Sequence, residues 1–445
     1  MKKKSAIPAE LPFSKVEFRK SRLSNGATLV SEVHPHSQAF SVGFWFKRGT
    51  RHEERSLMGV SHFLEHLTFK NTKNRDSYEI AYDVESVGGE LNAFTSKENT
   101  CFHALVLNRD WSIAMDVLSD VAFQMKPLKR DFELEKKVVL QEIDLAEEQY
   151  EDAIYDLFFA HALPDSPLSW PILGERETIE KMKLDDVIAH YHQSFSPENL
   201  IVSVTGNLDH EEVLENLSKW LKKRCVKTST PAKKSDVKSM LGSKLSSKNG
   251  SKSPKHRWQG GTHFRVASSE QHHVLMGFPA PSFRAKNRFE AVILNALLGG
   301  GMTSVLFQKI REKSGLSYSV HSQLATFDDF GFLSIYAGTQ MKSVNQVVDL
   351  VKKEVALLAK NGVKKAALDL YREQIIGGLL LGAEDIENRM HSLAINEMIF
   401  GEYRPVDLVI DEVRKVSLES MNEFVRSALA APNWTVVAMG DKNPF

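Results

Sequence analysis

The chain of 445 residues is too long for a single hydrophobic core, so its length predicts two or three domains. Hydrophobic residues make up 42% and charged residues 26%, which is ordinary for a globular protein and excludes a disordered or fibrous chain. The apolar runs, such as AVILNALL, are too short to cross a membrane, which takes about 20 residues. Two cysteines and a beginning without an apolar stretch predict a cytoplasmic protein without disulfides and without a membrane partner.

In the first half of the chain, the predicted strands and helices come in groups rather than in regular alternation. Two segments rich in β-branched and aromatic residues, 26–35 and 40–49, are predicted as strands. A helical segment at 61–69 follows, and then a hairpin-like pair of strands at 89–107. A long helical pattern covers 130–153. This grouping indicates an α+β fold.

A basic segment divides the chain near its middle. Lys and Arg together equal Asp and Glu over the whole chain, 57 of each, yet 222–257 contains twelve Lys or Arg and one acid, Asp236. The segment is also rich in Ser, Gly and Pro, so we interpret it as a flexible linker. Aromatic residues are not interleaved with the basic ones, so we expect no nucleic-acid partner.

The two halves carry an internal repeat. Residues 184–207 align without gaps to 418–441 at a constant offset of 234, and each segment is predicted as a helix, a turn and a strand that ends at glycine. The second half also has a predicted strand at 272–281 and a hairpin-like pair at 317–338. We therefore expect two homologous α+β domains, each an antiparallel-rich sheet packed with helices. The predicted boundaries are 16–221 for the N-terminal domain, 222–260 for the linker and 261–445 for the C-terminal domain.

The helical segment 61–69, SHFLEHLTF, carries side chains that bind metals. His62 and His66 are four residues apart, so in a helix they lie on one face, and Glu65 is close enough to lean over a shared ion. Two imidazoles and a carboxylate suit zinc, whose catalytic sites keep three protein ligands and one water. The alternative from this inverted H-x-x-E-H motif alone is a buried histidine pair without a metal.

The long helix contributes two glutamates on a single apolar face. Glu142 has four apolar neighbours at the positions three and four residues away: Val138, Val139, Leu145 and Ala146. Glu135 lies two turns earlier on the same face. A carboxylate buried in this way needs a cation or a strong hydrogen-bond donor. A metal ion and an Arg or Lys from elsewhere in the fold both satisfy that need, and the nearby histidine motif favours the metal.

With these motifs the chain resembles the pitrilysin family of zinc peptidases, the inverzincins, and within it the short processing-peptidase branch. Glu142 follows His66 by 76 residues, which matches the spacing of the family's third ligand, and Glu135 matches its supporting glutamate seven residues earlier. The segment LNAFTS (91–96) resembles the family's N-A-x-T edge strand.

In the second half, GGGMTSVLFQKIREKSGLSYSV (299–320) resembles the family's glycine-rich segment, with Arg311 and Tyr318 seven residues apart. The chain departs from the family at Val305, where many relatives have arginine.

The resemblance implies a zinc-dependent endopeptidase with one Zn²⁺ per chain. His62, His66 and Glu142 would hold the ion, and Glu65 would be the general base. Glu135 would orient a ligating histidine, and a purely structural ion pair remains the alternative for it.

The resemblance also implies how substrate and partner are bound. Substrates would be extended or unfolded oligopeptides, cleaved inside a closed chamber. The implied substrate-binding residues are Asn92, Ala93, Phe94, Thr95, Arg311 and Tyr318. Because the zinc motif and the Arg/Tyr element are on one chain, we expect a homodimer. The alternative is a non-catalytic or partner-dependent subunit of a processing-peptidase-like heterodimer.

Overall fold

Two β-sheets, one in each half of the chain, organise the fold. The computed structural model describes residues 16–225 and 256–445. The strands of the first sheet are β1 (Glu17–Arg22), β2 (Thr28–Val33), β3 (Ala39–Phe46), β4 (Glu90–Thr95), β5 (Thr100–Leu107) and β6 (Leu200–Gly206). Their order across the sheet is β1-β2-β6-β3-β5-β4. Neighbouring strands are antiparallel except β2 and β6, which are parallel.

The second sheet repeats the plan of the first without its outermost strand. Its strands are β7 (Gly261–Val266), β8 (His272–Ala280), β9 (Ser317–Thr326), β10 (Gly331–Thr339) and β11 (Thr435–Gly440). They lie in the order β7-β11-β8-β10-β9, and only β7 and β11 are parallel. Each strand thus has a counterpart in the order β2-β6-β3-β5-β4. The predicted α+β fold with an internal repeat is confirmed.

The helices follow the same repeat. Those of the first half are α1 (Val60–Thr68), α2 (Ser77–Glu85), α3 (Trp111–Phe123), α4 (Lys129–Glu148), α5 (Tyr150–Ala162), α6 (Arg176–Lys181), α7 (Leu184–Ser194) and α8 (His210–Arg224). Those of the second half are α9 (Arg288–Gly299), α10 (Val344–Asn361), α11 (Lys365–Ala383), α12 (Ile386–Ile399), α13 (Val406–Lys415) and α14 (Leu418–Leu429), with a π-helical segment at Phe307–Lys313. In the part of the chain described, no helix combines the length and apolar character that a bilayer crossing requires.

Two predicted segments differ in extent from the structure. The long helix predicted over 130–153 is divided at Gln149 into α4 and α5, because α5 leaves the first sheet and crosses to the second. The predicted linker, 222–260, begins inside the last turn of α8, where Arg224 is buried and pairs with Asp116 at 2.8 Å. Most of that linker, 226–255, lies outside the described residues.

The two halves are joined by an exchange of helices. α5, from the first half, packs on β8 and β11 of the second sheet, where Phe158 lies against Phe332 with ring centroids 5.4 Å apart. α12, from the second half, packs on β2, β3 and β6 of the first sheet, where Met390 joins a buried cluster around Trp45. Burying these apolar side chains stabilises the joint by about 1.5–3 kcal/mol per fully buried residue.

A glycine in each sheet makes room for the exchanged helix. A Cβ built on Gly43 of β3 would overlap Nε1 of Trp45 on the same strand and would lie 2.5 Å from the Met390 sulfur of α12. A Cβ built on Gly277 of β8 would lie 2.7 Å from the Phe158 ring of α5 and 2.7 Å from the Leu333 carbonyl oxygen. Both strands therefore need glycine where a helix from the other half approaches.

Replacing Gly277 with valine should lower the free energy of unfolding by about 1–3 kcal/mol, because the new side chain overpacks the contact with α5. Denaturant unfolding of the full chain measures this change. Gly382→Ala is the matched control, since a Cβ there meets no atom within 4 Å and alanine suits a helix better than glycine. Equal stability of Gly277→Val and wild type would show that the α5 contact does not need the glycine.

Candidate metal centre

Helix α1 presents its metal-capable residues on the face opposite its core residues. Phe63, Leu64 and Leu67 are fully buried and fix the helix against the first sheet. His62 and His66 are consequently directed away from the sheet, with their ring centroids 4.6 Å apart.

The start of α1 is held by Glu53, a residue that no sequence motif indicated. Its buried carboxylate accepts hydrogen bonds from the backbone N–H of Gly59 at 2.8 Å and of Ser61 at 2.7 Å. These are two of the N–H groups that a helix start leaves without partners. Burial raises the pKa of Glu53 to about 7 even though both hydrogen bonds favour its charged form. Glu53 thereby fixes the helix that carries the histidines. No spacing rule points to it, since it precedes the helix by more than a normal cap.

Helix α4 brings Glu142 to the two histidines. Its Oε2 lies 3.5 Å from His66 Nε2 and 3.9 Å from His62 Nε2. One ligand atom from each of the three residues falls within 4.8 Å of the others. The three side chains that the sequence placed in two separate helices are therefore in one cluster.

Glu135 contacts both an imidazole and a lysine. Its Oε2 lies 3.1 Å from His66 Nδ1 and its Oε1 lies 2.6 Å from Lys70 Nζ. The first contact makes His66 Nδ1 the donor and leaves its Nε2 lone pair directed to the cluster. Burial raises the pKa of Glu135, but the bonds from His66 and Lys70 outweigh it and the pKa is lowered, so the group is a carboxylate. The orienting contact and the ion pair are thus both present.

Glu65 stands beside the cluster and is held from the edge strand. Thr95 Oγ1 donates a hydrogen bond of 2.6 Å to Glu65 Oε2, which leaves the other carboxylate oxygen available. Burial raises the pKa of Glu65 above its usual value. The family resemblance implies that Thr95 binds substrate. In the structure its side chain positions Glu65.

The pKa values of the two imidazoles are shifted in opposite directions. Burial, with a smaller effect of the neighbouring His66, lowers the pKa of His62 to about 4. Burial would also lower the pKa of His66, but the hydrogen bond to Glu135 and the charge of Glu142 outweigh it and raise the pKa. His62 is consequently neutral near pH 7, the form that a metal ligand needs.

The donor set fits a zinc ion. Four ligands at about 2.0–2.1 Å in tetrahedral geometry lie roughly 3.4 Å from one another, close to the 3.5 and 3.9 Å separations of the ligand atoms here. Two imidazole nitrogens and a carboxylate oxygen are common zinc ligands. His62 Nδ1 is buried without a hydrogen-bond partner among the described residues, so only His66 has its orientation fixed by a carboxylate.

A cavity of about 310 Å³ lies over Glu65 and His66 and is bordered by the edge strand β4. β4 pairs only with β5 in the described sheet, so its other edge is free. The N–H of Ala93 donates to the side-chain oxygen of its own neighbour Asn92 at 2.8 Å, which directs that N–H to the free edge. Phe94 lies on the face of the sheet opposite to this cavity and packs on Trp45, with ring centroids 5.4 Å apart.

Arg311 and Tyr318 lie together in the second half. The Arg311 guanidinium is 4.2 Å from the Tyr318 ring centroid and 4.8 Å from that of Phe307. Tyr318 is 78% exposed at the start of β9. Among the described residues, neither side chain contacts the metal cluster of the same chain. Val305, the departure from the family pattern, is partly buried against the second core.

Two family models match the chain. One, described as Insulinase (Peptidase family M16), matches residues 28–176. The other, described as Peptidase M16 inactive domain, matches residues 181–375.

Relatives with similar sequences are named as zinc proteases. The chain is 34% identical over 412 residues to an uncharacterized zinc protease of Mycobacterium leprae, covering 92% of this chain and 89% of the relative. It is 32% identical over 402 residues to the uncharacterized zinc protease YmxG of Bacillus subtilis, covering 90% and 93%.

Solved structures share the fold. A protease from Helicobacter pylori superposes with a TM-score of 0.82 at 20% identity, covering 96% of this chain and 99% of that one. A structure described as the peptidase M16 inactive domain from Pseudomonas fluorescens gives 0.81 at 15% identity, covering 96% and 98%.

Proposed function

Because the chain belongs to peptidase family M16, the pitrilysin family, we propose that it is a zinc-dependent endopeptidase that cleaves extended or unfolded oligopeptides. The family predicted from the sequence motifs is confirmed. The observation that carries the proposal is the cluster of His62, His66 and Glu142 with Glu65 beside it.

One Zn²⁺ per chain would be held by the imidazoles of His62 and His66 and the carboxylate of Glu142. When bound, the ion would polarise the scissile carbonyl and lower the pKa of a water molecule toward neutrality. Glu135 keeps His66 Nε2 directed to the cluster.

Glu65 would be the general base. Its available carboxylate oxygen takes a proton from the attacking water and delivers it to the amine that leaves as the peptide bond breaks. The hydrogen bond from Thr95 restricts the carboxylate to one orientation, so the proton acceptor is already in place before the substrate binds.

The substrate would lie extended along Asn92–Thr95. An added strand there would use the free edge of β4, and the outward N–H of Ala93 could exchange the Asn92 oxygen for a substrate carbonyl. Recognition through main-chain bonds tolerates varied sequences, which suits a peptidase for unfolded peptides.

The proposed enzyme is a homodimer with a closed chamber, located in the cytoplasm. Arg311 and Tyr318 are exposed in the second half and do not reach the cluster of their own chain in the described residues. A second copy could bring them near a substrate. The alternative is a subunit that is inactive without a different partner chain. It is supported by the same observation, that Arg311 and Tyr318 do not reach the cluster of their own chain in the described residues.

One experiment tests the function. The purified chain is depleted of metal with a chelator, reloaded with Zn²⁺, and assayed on a quenched fluorescent peptide library, with product ends identified by mass spectrometry. Internal cleavage that is lost on depletion and restored by one zinc per chain supports the proposal. Zinc uptake without cleavage favours the partner-dependent subunit, and failure to take up zinc contradicts both.

Replacing Glu135 with glutamine should weaken zinc binding by about 10–100-fold, because the imidazole of His66 loses its charged acceptor. Competition with a chromophoric chelator measures the affinity. Lys70→Met is the control that breaks only the ion pair on the other oxygen. If both variants change the affinity equally, the ion pair rather than the orienting contact is what matters.

A further inference from the structure

A second cavity lies in the second half of the chain, far in sequence from the metal cluster. Its volume is about 540 Å³, within the range of small-molecule sites. Helices α9, α11, α12 and α13 and strand β9 line it.

This cavity holds the place in the second half that the metal centre holds in the first. Strands β4 and β9 are counterparts, and each ends in a hairpin with a four-residue loop, since Thr95 pairs with Thr100 and Thr326 with Gly331. Ala93 thus corresponds to Leu324. Ala93 borders the cavity over the metal cluster, and Leu324 and Thr326 border the larger one.

A glycine takes the place of the third ligand. Matching the buried residues of the counterpart helices, Phe132 with Leu368 and Glu135 with Tyr371, gives an offset of 236 and puts Gly378 where the first half has Glu142. A Cβ on Gly378 would meet no atom within 4 Å. The missing side chain leaves open space in the wall of the cavity.

The walls combine apolar surface with positive charge. Apolar side chains such as Phe289, Phe400 and Val409 make up much of the lining. No acidic residue among those described borders the cavity. Three arginines do: Arg288, Arg389 and Arg404. Each of the three pairs with a carboxylate that does not border the cavity.

The arginines near Phe400 keep hydrogen-bonding capacity. Arg288 donates to Glu412 Oε2 at 2.6 Å, and Arg404 shares that oxygen and also contacts the exposed Glu402 at 3.2 Å. The Arg288 guanidinium also lies over the Phe289 ring, 4.4 Å from its centroid. A guanidinium has five N–H donors, and Glu412 is the one acceptor of Arg288 among residues 16–225 and 256–445, so further donors are available to a ligand.

We propose that this cavity binds a molecule with an apolar chain that ends in a carboxylate. The chain would occupy the apolar space beside Gly378, and the carboxylate would accept hydrogen bonds from Arg288. Both a free carboxylic acid and the C-terminus of a peptide with an apolar last residue have this chemistry. The proposal is independent of the proposed peptidase activity.

Calorimetric titration of the full chain with octanoate tests the proposal, with 1-octanol and octylammonium as probes of the same chain length. We expect saturable binding of one octanoate per chain, and binding of the alcohol and the amine weaker by at least about tenfold, the loss expected for one charge-assisted hydrogen bond. Equal binding of octanoate and octanol, or no saturable binding of octanoate at millimolar concentration, would overturn the proposal.

Variants locate the site. Gly378→Leu should abolish octanoate binding by filling the cavity, and Arg288→Gln should weaken it by at least about tenfold. Gly377→Leu is the matched control, because it has the same helix and the same open surroundings but does not border the cavity. Thermal melting checks that each variant is folded. Unchanged binding in a folded Gly378→Leu protein would contradict the assignment.

A second titration identifies the source of the carboxylate. Acetyl-alanyl-leucine is compared with its C-terminal amide and with octanoate. Tighter binding of the peptide acid assigns a peptide terminus, and tighter binding of octanoate assigns a free acid. An amide that binds as well as the acid would contradict carboxylate recognition.

Discussion

Replacing Glu65 with glutamine should lower the rate of peptide hydrolysis by about 10²–10⁴-fold while the zinc content stays at the wild-type level. Glutamine has nearly the same shape as glutamate, and its carbonyl oxygen can still accept the hydrogen bond from Thr95. It cannot take a proton from water at neutral pH. Turnover of a quenched fluorescent peptide and metal content of the same preparation measure the two effects.

The control for this variant is Glu133→Gln, which makes the same chemical change on the exposed side of α4. It should retain both activity and zinc. A Glu65→Gln protein that cleaves peptides at the wild-type rate would show that another group moves the proton.

Replacing Glu32 with alanine should lower the free energy of unfolding by about 3–5 kcal/mol, because it leaves the charge of Arg389 buried without its partner. Glu32 lies on β2 and Arg389 on the exchanged helix α12, and both are buried. The guanidinium donates twice to the carboxylate, at 2.7 and 2.5 Å, and Tyr403 adds a hydrogen bond at 2.9 Å. Denaturant unfolding measures the loss.

The same pair predicts a dependence on pH. Burial opposes the charged form of Glu32, but the hydrogen bonds from Arg389 and His34 outweigh it and lower the pKa from 4.5 to about 2. A carboxyl whose pKa is lower in the folded state stabilises the fold above pH 4.5, and this contribution of about 3 kcal/mol is lost as the pH falls from 4.5 to 2. Glu32→Ala should remove that part of the acid sensitivity.

Two further variants test whether the loss of stability in Glu32→Ala comes from the buried ion pair. Glu177→Gln breaks a fully exposed pair with Lys181 and should leave stability unchanged. The double change of Glu32 and Arg389 to methionine should cost less than the sum of the single changes, because neither charge is then buried alone. Additive losses would mean that the two side chains do not depend on each other.

Local sequence patterns predicted much of the fold. The aligned segments 184–207 and 418–441 correspond to α7 with β6 and α14 with β11, because helical and strand periodicities are local properties. The exchange of α5 and α12 was not predicted. It depends on which sheet each helix meets, and no local sequence pattern encodes that tertiary contact.

For the site too, local spacing could be predicted from the sequence and contacts between separate elements could not. Helical spacing alone indicated that His62 and His66 share a face and that Glu135 and Glu142 share another. Lys70 is four residues after His66, so extending the same spacing by one turn could have identified it as a partner of Glu135. The contact between Thr95 and Glu65 joins a strand to a helix, and no spacing in the sequence encodes it.

Anomalous diffraction at the zinc absorption edge, from crystals of the chain purified with zinc, measures whether zinc lies between His62, His66 and Glu142. We expect one strong peak per chain, about 2.0–2.2 Å from His62 Nε2, His66 Nε2 and a Glu142 oxygen. A zinc peak held by other residues, or a zinc-treated crystal with no peak between these three side chains, would contradict this expectation.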